Sequence, residues 1–192
     1  MMNNEHLLKL MQGHKALTPF DYSLAVDWAI KRTEEGQTTD AVLMLASFTK
    51  PFESCEISPY VTAVLTELGL EELDDKEAVK VKVHFHLSGI IEGVAIREHL
   101  HSLYELSFKY GYEFGIMDFY LLYHAWADID FMGANCYFEE VDAGNIEEKL
   151  KQEAEKWIDK HIHGKEEPSE VLIQTNAVPH SSKWLWVKRW FS

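Results

Sequence analysis

The chain has 192 residues, with 32 Asp and Glu against 18 Lys and Arg, so its formal net charge is −14. This length supports one domain with a sizeable core, and a content of 46% hydrophobic residues is too high for a disordered chain. The acidic balance disfavours nucleic-acid binding, which needs a surplus of cations to displace counterions from phosphates. It is compatible instead with a basic partner.

The chain shows no sign of export or membrane insertion. Two cysteines, Cys55 and Cys136, are too few for a disulfide scaffold. Residues 1–6 lack the basic and apolar regions of a signal peptide, and the longest apolar stretch, residues 41–48, is half as long as a membrane span. We therefore expect a cytoplasmic protein with reduced thiols and no membrane segment.

The first third of the chain predicts helices, because apolar residues recur every three or four positions between helix-start and helix-stop residues. Thr39 or Asp40 is suited to cap the third of them, which is apolar all round and is predicted to lie inside. Ser58 and Pro59 suit the start of the fourth, since a longer helix from Glu53 would have to accommodate Pro59. The predicted helices cover residues 4–12, 18–36, 39–48 and 58–69.

Residues 79–87 fit two structures. Apolar and polar residues alternate strictly, which is typical of a half-buried strand. Val79, Val83, Leu87 and Ile90 also follow helical spacing. Both readings stay open, and the helical neighbours favour the helix.

The rest of the chain predicts helices over residues 96–111, 116–127 and 145–164, the last with a capping-box start at Asn145. Residues 131–144 read as a loop, and residues 171–173 allow a short strand. The expected fold is therefore all-α: one domain of seven to nine helices over residues 1–164, with a minor β element at 79–87 or 171–173. Residues 165–192 are expected to form a linker and a tryptophan-rich tail that docks on this domain.

The common catalytic and nucleotide-binding motifs are missing, and we expect no cofactor. Histidines two residues apart share one side of a strand, but they point about 200° apart on a helix and cannot share a metal there. Among three such pairs only His84 and His86 therefore stay candidates for a metal, and only if residues 79–87 form a strand. The ordinary alternative is polar side chains on helix faces.

A second candidate is the row Tyr120, His124 and Asp128, which lies on one face of a predicted helix. Asp128 could orient His124 for proton transfer, although the row has no evident nucleophile or second acid. The ordinary alternative is an ion pair beside a tyrosine of an aromatic core. Many aromatic residues crowd this region and suggest a core or the lining of a groove: Tyr104, Phe108, Tyr110, Tyr112, Phe114, Phe119, Tyr123 and Trp126.

The tail combines three cations with a large aromatic surface made by Trp184, Trp186, Trp190 and Phe191. The acidic remainder of the chain would be repelled by anionic lipid or phosphate, which leaves two readings. The tail either folds back on the acidic body or binds a protein partner.

Several short segments resemble a group of small, uncharacterised, all-helical bacterial proteins. They include Trp28-Ala29, Leu45-Ala46 and Pro51-Phe52-Glu53, followed by residues 66–70 and 88–128. The sequence departs from that group at Glu92-Gly93-Val94, where those proteins have an Asp-Pro turn. The resemblance implies an all-α fold with a helix at 79–87, and no established activity. Some proteins of that group accompany bacterial toxins as immunity or regulatory partners.

These observations predict a non-enzymatic protein-binding module, in its sharpest form an immunity protein that covers a basic toxin with its carboxylates. One alternative is a metal protein or enzyme that uses His84 and His86, or His124 and Asp128. The other is a structural homo-oligomer joined through the aromatic tail.

Overall fold

Eight helices follow one another in the computed structural model, which describes residues 4–165. No strand occurs within these residues, so the predicted all-α class and the number of helices are confirmed. Residues 171–173 and the tail tryptophans lie outside the described residues. The helices are α1 (Asn4–Gln12), α2 (Ser23–Glu34), α3 (Asp40–Ala46), α4 (Ser54–Glu67), α5 (Asp75–Glu92), α6 (Ile96–Tyr110), α7 (Met117–Met132) and α8 (Ile146–His161).

Residues 79–87 belong to α5, so the strand alternative for this segment is wrong. Val79, Val83, Leu87 and Ile90 lie on one side of the helix and are almost completely buried. Burying each of them contributes about 1.5–3 kcal/mol, whereas the preference of β-branched residues for strands spans only about 1 kcal/mol. Asp74 caps the helix by accepting a hydrogen bond from the backbone N–H of Glu77 at 2.9 Å.

The helices bury two adjoining hydrophobic clusters. Helices α1–α4 enclose one, and α5–α8 enclose the other together with Leu10 and Leu17. Helix α5 joins the halves, because it packs on α1, α6 and α8 and its Phe85 contacts both clusters. Gly13, the residue after α1, lies close to α5, and a Cβ added there would lie 2.9 Å from the Cβ of Ala78.

Two helices begin elsewhere than the sequence predicts. α2 begins at Ser23 instead of residue 18, because the Asp21 carboxylate accepts from both the backbone N–H and the hydroxyl of Ser23. α4 begins at Ser54 and carries Pro59 in its interior, because Ile57 and Val61 on either side are fully buried. The ring of Pro59 is exposed and removes only one backbone donor.

Two further expectations are corrected at α3 and α8. Thr39 does cap α3, but Leu43 and Met44 are 46% and 49% exposed, so this helix is not internal. Asn145 makes no side-chain capping bond to α8. Its side-chain oxygen accepts from the Asp142 N–H and its amide donates to the Glu140 carbonyl, so Asn145 orders the preceding loop instead.

Polar contacts fix the last three helices to one another. The Arg97 guanidinium donates to both carboxylate oxygens of Asp130 and lies 4.2 Å from the ring centroid of Trp126. The Trp157 indole N–H of α8 donates to the Phe114 carbonyl at 2.7 Å.

None of the described helices has the length and apolar composition needed to cross a bilayer.

Candidate functional site

Helix α7 is apolar around most of its circumference. Its inner side is buried and carries Phe119, Leu122, Ala125, Trp126 and Ile129. Its outer side carries Tyr120, Tyr123, His124 and Phe131, which helical spacing places along one stripe. Phe131 is 90% exposed. A helix that is apolar around most of its circumference is normally buried on most sides, so the exposure of Phe131 on the outer side of α7 needs an explanation.

Helix α6 extends this stripe with His101, Tyr104 and Phe108. The Tyr104 ring stacks on Tyr123 with 4.1 Å between centroids, and on Tyr120 with 5.5 Å. Phe108 meets Tyr104 edge to face at 4.9 Å and is 64% exposed. These offset and edge-to-face geometries favour a rigid layer of rings across the two helices.

The loop between α7 and α8 adds Tyr137. The side-chain oxygen of Asn135 accepts from the N–H groups of Tyr137 and Phe138, and its amide donates to the Val141 carbonyl at 2.6 Å. The loop is therefore ordered by its own side chains, and it brings the Tyr137 ring to 6.1 Å from His124. We call the whole layer the aromatic surface: His101, Tyr104, Phe108, Tyr120, Tyr123, His124, Phe131 and Tyr137.

His124 lies at the centre of the aromatic surface. Its ring meets the rings of Tyr120 and Tyr104 at 4.7 and 5.4 Å, both in T-shaped contacts. Its Nε2 atom is buried and has no hydrogen-bond partner among the described residues. A buried polar atom without a partner costs about 1–3 kcal/mol, so its presence at this position calls for an explanation.

Carboxylates lie beside the tyrosines. Burial, followed by the hydroxyls of Tyr120 and Tyr123 and the carboxylate of Glu105, raises the pKa of Tyr104. Burial, followed by the carboxylate of Asp128, raises the pKa of Tyr137. Both phenols therefore stay protonated at neutral pH and can donate hydrogen bonds. Glu139 and Glu140 follow Tyr137 in the loop and are exposed.

The predicted row Tyr120, His124 and Asp128 lies on the outer face of α7 within this surface. Tyr120 and His124 are in ring contact, but no ion pair joins His124 to Asp128 among the described residues. The arrangement therefore provides aromatic faces, phenol donors and carboxylates on an open surface. These groups suit recognition of another molecule better than proton transfer within an enclosed pocket.

The structure separates the other predicted pair, His84 and His86, onto different sides of α5. His84 contacts His6 of α1, with 4.6 Å between ring centroids. His86 is buried toward α6, with its Nδ1 atom 3.0 Å from that of His99. Burial lowers the pKa of His84 to about 4 and that of His86 to about 3. Within residues 4–165, no three His, Cys, Asp or Glu side chains are grouped to hold a metal ion.

A separate cleft of about 550 Å³ opens between the α1–α2 and α3–α4 connections. The Asp21 carboxylate on its wall accepts a hydrogen bond from the Ser23 N–H at the start of α2. The Lys50 ammonium lies 6.0 Å from the Phe52 ring centroid. None of the predicted site residues lines this cleft.

The sequence indicates the aromatic crowding, but it does not show which rings are exposed. Phe131 and Tyr137 are not among the predicted site residues, and Tyr104 and Phe108 fit a core equally well. One available signal is that the row Tyr120, Tyr123, His124 extends to Phe131 at helical spacing, opposite an equally apolar inner side. The tail residues Trp184, Trp186, Trp190 and Phe191 lie outside the described residues.

No protein-family model, no curated protein and no solved structure matches the chain.

Proposed function

We propose that the chain is a non-enzymatic protein-binding module that holds a basic protein on its aromatic surface. The observation that carries the proposal is the outer face of α7, where the half-buried Tyr120 and His124 lie in one stripe with Phe131, which is 90% exposed. Aromatic residues with few rotamers are the side chains that most often dominate the free energy of protein–protein binding.

Charge supports a basic partner. The chain carries a formal net charge of −14, Glu105 lies near the half-buried Tyr104, and Asp128 lies near the exposed Tyr137. A second copy of the chain would bring these carboxylates against one another, whereas a basic surface would pair with them and associate faster. In the form that the sequence resemblance implies, the partner is a toxin and the chain is its immunity protein.

The test compares two double variants that each remove two exposed apolar side chains. Phe108→Ser with Phe131→Ser changes the aromatic surface, and Leu43→Ser with Met44→Ser is the matched control on α3. Proteins that the immobilised wild-type chain retains from a lysate of its own cell are identified, purified and titrated against both variants. We expect one basic protein. Its affinity should fall at least about 100-fold for the Phe108→Ser, Phe131→Ser variant and under about 3-fold for the control.

Salt provides the second arm of the test. The association rate of a basic partner should fall steeply between low and high salt, because screening shortens the range of charge attraction to about 3 Å at 1 M. Equal retention by both double variants, or no retained protein, would contradict the proposal. Self-association that the Phe108→Ser, Phe131→Ser variant abolishes would instead support a homo-oligomer.

A further inference from the structure

The centre of the aromatic surface combines three features. Within the described part of the chain it has an exposed ring at Tyr137, a carboxylate with no salt-bridge partner at Asp128, and a ring nitrogen with no hydrogen-bond partner at His124. We propose that Tyr120, His124, Asp128 and Tyr137 form a subsite for a guanidinium group, supplied by an arginine side chain of the partner. This inference rests on the proposed function, because it assigns the partner chemistry that the same surface recognises.

The rings provide the first part of the subsite. Tyr120 and Tyr137 both contact His124, at 4.7 and 6.1 Å between centroids. The Tyr137 side chain is 42% exposed, so a ligand can reach its ring without unfolding any element. A cation over a tyrosine face is attracted by the negative charge of the ring face, and arginine is the cation found there most often.

Asp128 provides the charge. It is half-buried one turn after His124, close enough to Tyr137 to raise the pKa of that phenol after the larger effect of burial. Among the described residues it has no salt-bridge partner. Asp130, two residues later on another side of α7, is by contrast held by both guanidinium nitrogens of Arg97. The charge of Asp130 is therefore paired within the chain, and that of Asp128 is available to a ligand.

His124 provides the polar centre. Its buried Nε2 has no hydrogen-bond partner among residues 4–165, while its ring is enclosed by tyrosines. A ligand donor that reaches this atom beside the Tyr137 ring would satisfy it in its acceptor form. A polar group that has no partner in the unbound protein gains one when the ligand binds, and this gain favours binding.

These features favour a guanidinium over an ammonium. A guanidinium is planar, so it can stack on a tyrosine ring while its edge donates to a carboxylate and to a ring nitrogen. It is also more weakly hydrated than an ammonium, which lowers the cost of moving it onto an aromatic surface. A lysine ammonium would either keep its bound water and make no contact with the ring, or contact the ring at the larger cost of losing that water.

The test uses small probes on the full chain. N-acetyl-arginine methylamide is titrated against the protein while the aromatic proton–carbon NMR signals of Tyr120, His124 and Tyr137 are followed. The matched probe is N-acetyl-citrulline methylamide, which has nearly the same shape and no charge. N-acetyl-lysine methylamide carries the same positive charge on an ammonium group, which is not planar. We expect saturable shifts at millimolar arginine, and binding of the other two probes that is at least about 5-fold weaker.

Two substitutions check the named groups. Asp128→Asn should weaken arginine binding about 5-fold or more, whereas Glu155→Gln, the same charge change at an exposed position of α8, should leave it unchanged. His124→Phe keeps a ring and removes the nitrogen, so it should weaken arginine binding about 3-fold or more while the protein stays folded.

The outcomes separate the subsite from the wider proposal. Equal binding of arginine and citrulline, or unchanged binding in Asp128→Asn, overturns the subsite even if the Phe108→Ser, Phe131→Ser variant loses the partner. Equal binding of arginine and lysine overturns the choice of guanidinium. Arginine binding that depends on Asp128, together with a partner that ignores the aromatic surface, supports the subsite and overturns the proposed function.

Discussion

The imidazoles of His86 and His99 face each other nitrogen to nitrogen, with 3.0 Å between their Nδ1 atoms. One nitrogen must donate the proton and the other accept it, so the accepting ring is neutral when this hydrogen bond is formed. Burial lowers the pKa of His86 to about 3, and burial also lowers the pKa of His99. At neutral pH the contact between α5 and α6 is therefore made by two uncharged histidines.

This arrangement predicts a loss of stability in mild acid. The pKa of His86 is lower in the folded chain than its usual 6.5, so the unfolded chain binds more protons as pH falls from about 6.5 toward 4. The free energy of unfolding should then decrease with falling pH, by up to about 1.4 kcal/mol per pH unit for each such histidine. His84, with a pKa lowered to about 4 chiefly by burial, acts in the same direction.

Urea unfolding at several pH values, with the wild type compared to His86→Leu, isolates this contribution. The variant should lose less stability between pH 7 and pH 5 than the wild type, and His101→Gln, which changes an exposed histidine, should behave like the wild type. Parallel curves for His86→Leu and the wild type would show that His86 does not titrate on unfolding.

Gly89 is required by the ring of His99. A Cβ at this position would lie 2.1 Å from the His99 Nε2 atom, so Gly89→Ala should push the ring away and break the bond to His86. Alanine is the better helix former by about 1 kcal/mol, yet we expect a net loss of about 1–3 kcal/mol of unfolding free energy. In a double-mutant cycle, the same alanine should become neutral or stabilising in a His99→Ala background. Destabilisation of equal size in both backgrounds would argue against this contact.

His124→Phe should raise stability while it weakens binding. The substitution removes a buried nitrogen that has no hydrogen-bond partner within the described chain and keeps the ring contacts with Tyr104 and Tyr120. We expect the free energy of unfolding to rise by about 0.5–2 kcal/mol, measured by urea denaturation. A variant that is less stable than the wild type would mean that the nitrogen has a partner in solution.

Trp157→Phe should loosen the attachment of α8. The indole N–H donates to the Phe114 carbonyl at 2.7 Å, and the side chain is buried between α8 and the turn before α7. Phenylalanine fills less space and cannot donate, so we expect a loss of about 2–3 kcal/mol in urea unfolding. Ile162→Ala, at a partly exposed position just after α8, should cost well under 1 kcal/mol. Similar losses in the two variants would argue against a special role for the indole.

The sequence was sufficient for the helical class and for several helix boundaries, because these depend on local properties. Apolar spacing over residues 4–12 predicts α1 with its observed bounds, and Thr39 caps α3 as its residue type suggests. Boundaries that depend on burial differ from the prediction. Pro59 lies inside α4, because the buried Ile57 and Val61 stabilise the helix by more than the missing backbone donor costs.

The tertiary structure alone decided which face of each apolar helix meets the core. α3 and α7 both carry apolar residues around most of their circumference, and nothing local distinguishes the buried Leu45 from the exposed Leu43, or the buried Trp126 from the exposed Phe131. Burial depends on the helices packed around each side chain, and these come from distant parts of the chain. The sequence by itself therefore determined the helices and the position of the aromatic residues, and the packing of α6 on α7 determined that their rings form a surface.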